Sequence, residues 1–98
     1  MAGSNFVQVA SNSGPGTIAL GSVAGGQYNF MARGTWGGGN IQLQEQDFAG
    51  GWVPVQNGTV NANGQVFLQL SSGTYQAVIT TATAVYAALV TVPTITVR

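Results

Sequence analysis

The sequence predicts an all-β protein: a single β-sandwich of about eight strands, jelly-roll or immunoglobulin-like, with glycine-rich turns and no substantial helix. Three observations carry this expectation. Short runs of alternating apolar and polar residues recur along the chain, bounded by Gly and Asn clusters. Thr, Val and Gly dominate, and helices disfavour all three. No segment places apolar residues at i, i+3, i+4 and i+7 for long enough to make an amphipathic helix. A chain of 98 residues can bury one core and not two, so residues 1–98 read as one domain, with 1–5 a flexible N-terminal arm.

The elements follow in order. "FVQVA" (Phe6–Ala10) alternates, and "SNSGPG" reads as a turn. "TIALGSV" (Thr17–Val23) is a second strand, closed by Gly25 and Gly26. "QYNFMARG" (Gln27–Gly34) sets Tyr28, Phe30 and Ala32 on one face, and "TWGGG" breaks it. "NIQLQEQ" (Asn40–Gln46) sets Ile41 and Leu43 against Gln42, Gln44 and Gln46. "DFAGG" is a hairpin loop. "WVPV" (Trp52–Val55) carries Pro54, the mark of an edge or bulge. Asn57-Gly58 and Asn63-Gly64 are turn signals. "QVFLQL" (Gln65–Leu70) and "TYQAVIT" (Thr74–Thr80) are expected to pair through "SSG". "TTATA" leads into the last long strand, and "TITVR" offers a short one after Pro93.

That last long strand is unusual. One face carries Ala84, Tyr86, Ala88, Val90 and Val92; the other carries Val85, Ala87, Leu89 and Thr91. A strand between core and water alternates apolar with polar, and this one is apolar on both sides. A second chain is the expected cover. Tyr86, Val90 and Val92 are assigned to the interface side, because tyrosine suits a surface half apolar and half polar. Phe6, beside the N-terminal arm, joins them as an anchor. Val85 and Leu89 then fill the core with Ile41, Leu43 and Trp52.

Charge is scarce. Two Lys+Arg and two Asp+Glu make 4% of the chain, where a typical domain has roughly 25%. A net charge of zero favours association. The scarcity of Lys and Arg argues against nucleic acid, which needs clustered cations. With 45% hydrophobic residues the chain does not have the composition of a disordered one. The longest apolar run, Ala84–Val90, is too short for a membrane helix, so no membrane partner is expected. Cysteine is absent and "MAGSNFVQVA" lacks a basic start and an apolar h-region, which favours folding in a reducing cytoplasm.

Catalytic chemistry is not legible, and no catalytic residue, cofactor or metal is expected. There is no His and no Lys to serve as a base, so the serines and threonines have no activator. Glu45 and Asp47 fall on one strand face, but a glycosidase needs its carboxylates on both sides of a sugar. Pairing with Arg33 at a wet hairpin end is the plainer expectation. Neither the D-x-D-x-D-G spacing of a calcium loop nor a P-loop lysine accompanies these residues. Asp47 precedes Trp52 with the approximate spacing of an Asp-box hairpin, a folding device, although Ala49 stands where that motif has glycine. Trp36 and Trp52 could stack on sugar rings, which keeps a carbohydrate-binding module as an alternative.

From Gly38 to Pro93 the chain resembles small structural proteins of tailed-phage virions. The resemblance rests on "IQLQ", the D-to-W hairpin, a strand ending in "NG", the run "GTYQAVIT" and then "AVYAAL". It implies a capsid decoration or cement protein, or a head-fibre subunit, bound to the major capsid protein and often dimeric or trimeric. It implies no catalytic residues. The expected place is the capsid surface, after synthesis in the bacterial cytoplasm. A tail or baseplate subunit is the alternative within the same class.

Overall fold

The computed structural model describes residues 6–92; the expected N-terminal arm and the expected strand after Pro93 lie outside them. The described chain forms eight strands: β1 (Phe6–Ser13), β2 (Gly16–Val23), β3 (Gly26–Thr35), β4 (Asn40–Gln46), β5 (Trp52–Val60), β6 (Gly64–Leu70), β7 (Gly73–Thr80) and β8 (Thr83–Thr91). They build two four-stranded sheets, in the orders β1-β8-β3-β6 and β2-β7-β4-β5. Every neighbouring pair is antiparallel. The pairs nest: β4 with β5 at the centre, then β3 with β6, β2 with β7, and β1 with β8 outermost. This nesting is the jelly-roll choice of the two expected sandwiches.

The inner faces alternate as the sequence demands. Val9, Phe30, Val85 and Leu89 project from the first sheet; Ile41, Leu43, Tyr75, Ala77 and Ile79 project from the second. Of the expected core residues, Ile41, Leu43, Val85 and Leu89 are fully enclosed, each at 0% exposure. No polar or charged residue is buried among the described residues. The two inner tyrosines satisfy their hydroxyls locally: Tyr28 donates to the Ala24 carbonyl, and Tyr75 to the Ser71 carbonyl at 2.6 Å.

Three expectations are corrected. Trp52 is not a core anchor. It pairs with Gln46, whose parity partners Gln42 and Gln44 face outward, so the indole lies on the outer face, 38% exposed. The Asn57-Gly58 turn does not form. β5 runs through it with Asn57 in the left-handed region (φ 62°), and the chain gains a bulge where Gln42 pairs with Thr59 but Gln44 pairs with Pro54. Finally, β6 and β7 do not pair. Ser71 and Ser72 carry the chain from one sheet to the other, held there by the Gly25 N–H on Ser72 Oγ at 2.7 Å.

Candidate docking face

The outer faces of the two sheets differ in chemistry. On the β2-β7-β4-β5 side the glutamines satisfy one another. Gln44 donates to Gln42 at 2.7 Å, Gln76 donates to Gln44 at 2.7 Å, and Gln42 donates to Thr59 at 3.3 Å. This polar lattice is the wet side that the "NIQLQEQ" alternation predicts.

The β1-β8-β3-β6 side mixes large exposed apolar side chains with polar ones. Strand register sets its rows: Phe6 lies opposite Val90, Val90 opposite Asn29, and Asn29 opposite Phe67. The next row runs from Gln8 through Ala88 and Met31 to Gln65. Beyond it, Tyr86 faces Arg33. Phe6 is 59% exposed, Met31 42% and Tyr86 36%. Around them runs an open groove of about 670 Å³, lined also by Ala88 and by the polar Gln8, Ser11, Asn63 and Gln65. Leu89 beneath is at 0% exposure, so the parity assigned to β8 holds, with Tyr86 and Val90 outward. Val92, just past β8, is half-buried and its N–H donates to the Gln27 carbonyl at 2.9 Å.

One wall of the groove is pinned from outside the sheet. Asn63, in the β5–β6 connection, accepts with a single Oδ1 from both the Gly34 N–H and the Trp36 indole N–H, each at 2.9 Å. Among the described residues Arg33 is the one charged residue lining the groove, and it stacks over Tyr86. The groove therefore presents Phe6, Met31 and Tyr86 beside the Arg33 guanidinium, among the polar side chains of Gln8, Ser11, Asn63 and Gln65. That composition suits a protein partner, since interface cores are enriched in Tyr, Phe, Met and Arg.

Sequence reasoning assigned Phe6, Tyr86, Val90 and Val92 to an assembly interface without a shared sheet. Strand register sets Phe6, Tyr86 and Val90 on this face together with Met31 and Phe67, which that reasoning missed. A signal existed. If Phe30 and Ala32 point inward, Met31 must point outward; if Val66 and Leu68 point inward, Phe67 must not.

The carboxylates have other tasks. Glu45 does not pair with Arg33, which lies on the other sheet; it accepts from Ser71 Oγ at 2.7 Å. Asp47 builds the β4–β5 turn, its Oδ1 accepting from Ala49 N–H at 2.9 Å and Gly51 N–H at 2.8 Å. Burial, with Glu45 nearby, raises the Tyr75 hydroxyl above its ordinary pKa of 10.0. Among the described residues no group of three or more His, Cys, Asp or Glu gathers as metal ligands. Trp36 packs half-buried against the core while Trp52 lies on the outer face of the other sheet, so the two indoles do not share a sugar platform. Comparison with protein-family models, curated proteins and solved structures gave no match to this chain.

Proposed function

We propose that this protein is a non-enzymatic virion component: a capsid decoration or cement protein that docks on the major capsid protein and stabilises the head of a tailed phage. The observation that carries the reading is the groove on the outer face of the β1-β8-β3-β6 sheet, with Phe6, Met31 and Tyr86 exposed around it. The resemblance of residues 38–93 to small phage virion proteins supplies the class of partner. With Arg33 the only charged residue lining the groove among the described residues, attachment rests chiefly on apolar burial, worth roughly 25 cal/mol per Å². Ion pairs at an exposed surface contribute about 0–1 kcal/mol each.

Quantitative mass spectrometry of the purified phage particle tests the reading. A decoration protein is present in proportion to capsid lattice positions. A count matching the tail or baseplate would move the protein to the alternative within this class, and absence from the particle would overturn the reading. Binding to undecorated capsids adds the contact itself. It should survive 1 M salt, where the Debye length is about 3 Å, and be lost in Met31→Glu. Release by salt alone would assign the contact to charged residues instead.

A further inference from the structure

A jelly roll has four edge strands, here β1, β6, β2 and β5. Exposed edges invite pairing with other chains, and proteins blunt them with bulges, prolines or charges. Three of these edges are blunted. β1 has register shifts between Gln8 and Ala10 and between Ala10 and Ser13, with Asn12 at a φ of 49°. β2 shifts between Ala19 and Gly21. β5 carries Pro54 and the bulge at Asn57.

The fourth is open. β6 pairs with β3 through seven consecutive residues, Gly64 to Leu70, without a shift, a proline or a charge. Its outer face shows Gln65, Phe67 and Gln69, all exposed, and Phe67 is 54% exposed although it is the central residue of the strand. Phe67 lies on the same outer face as the groove, and Gln65 lines the groove itself, so the edge of β6 adjoins the groove.

We propose that the open edge of β6 pairs antiparallel with β6 of a second copy, across a twofold axis at Phe67, joining two four-stranded sheets into one of eight. The strand is self-complementary about its centre. A twofold there sets Phe67 against its own symmetry mate, an aromatic cross-strand pair. Gln65 then faces Gln69 of the other copy, and Gln69 faces Gln65, so amides meet amides. Val66 faces Leu68 on the core side. Each outward residue finds a partner of its own kind, with no like charges to oppose pairing. The inference concerns the edge of the sheet whose outer face carries the groove, and it stands whether or not the chain decorates a capsid.

Two experiments test it, both on the full chain. The native sequence lacks cysteine, so Phe67→Cys carries one thiol. Opposed residues in antiparallel pairs have Cα atoms about 4.5–5.5 Å apart, within the about 4.4–6.8 Å that a disulfide spans. Mild oxidation should convert Phe67→Cys to a covalent dimer much faster than Thr17→Cys, an exposed control on the β2 edge. Equal rates would overturn the proposal. In analytical ultracentrifugation the wild type should sediment as a dimer. Gln65→Lys with Gln69→Lys puts lysine against lysine and should halve the mass, with the far-UV spectrum unchanged. Gln65→Lys with Gln69→Glu puts lysine against glutamate and should restore the dimer. A monomeric wild type, or two double variants that behave alike, would rule out the β6 pairing.

Discussion

The guanidinium of Arg33 lies over the ring of Tyr86, 4.2 Å from its centroid, and the two residues face each other across β3 and β8. An arginine beside so much apolar surface is accommodated because its flat, weakly hydrated cation covers an aromatic face. A double-mutant cycle with Arg33→Ala and Tyr86→Leu should give a coupling of about 0.5–1 kcal/mol, the range for exposed cation–π pairs. Strictly additive losses would mean the stacking adds no stability.

Leu43 and Trp52 make a contrasting pair. Leu43 is at 0% exposure between the sheets and Trp52 is 38% exposed on an outer face. Leu43→Ala should destabilise by about 2–5 kcal/mol through the cavity it leaves. Trp52→Ala, at a side chain only partly covered, should cost roughly 1 kcal/mol, the middle of the range for single substitutions. Urea melts of the two variants decide the matter, and equal costs would place the indole in the core after all.

Gly39 cannot accept a side chain. It is buried, and a Cβ there would press on the Thr80 carbonyl oxygen and lie 2.6 Å from the Ala82 nitrogen, both backbone atoms. Gly39→Ala should cost more than about 4 kcal/mol, among the largest single-site effects. Gly37, with a φ of 55° and open space around it, should lose only about 1–2 kcal/mol as alanine, from backbone strain. Thermal melts of both variants provide the check.

Tyr75 links stability to alkaline pH. Burial raises its pKa above 10.0, so the unfolded chain ionises first as pH rises. The stability this group confers is complete below about pH 10 and declines as pH climbs from the unfolded toward the folded pKa. Tyr75→Phe removes that dependence. Urea midpoints measured from pH 8 to pH 11 should fall less steeply in the variant than in the wild type.

Much of this fold is legible in the sequence because alternation and turn chemistry are local. Asn40–Gln46 forms β4 over the predicted range, and the Tyr28, Phe30 and Ala32 face is buried as expected. The errors arise where long-range geometry overrides a local signal. Asn57-Gly58 is a sound turn dipeptide, yet the left-handed conformation it favours serves equally in a bulge. Trp52 looks like a core anchor by size, but the register of β5 on β4 decides its face, and register is not written in β5 alone. Pairing is the least legible property. "QVFLQL" and "TYQAVIT" are adjacent in sequence, but two serines suffice to move the chain between sheets. For the docking face, parity within single strands could have found Met31 and Phe67. Their assembly with Phe6, Tyr86 and Val90 depends on β1, β8, β3 and β6 lying side by side, which requires the topology.

The nested pairing also dictates an order of events in folding. Only β4 and β5 pair directly across a tight turn; every other pair encloses the pairs inside it. Joining distant segments costs chain entropy before contacts repay it, so the inner pairs must close first and shorten the path for the outer ones. The Asp47 carboxylate, which holds the β4–β5 turn, therefore acts at the start of that sequence. Asp47→Ala should slow refolding while leaving unfolding nearly unchanged, the signature of a contact already made at the rate-limiting barrier. A chevron plot in which only the unfolding limb moves would show that the roll begins to close somewhere else.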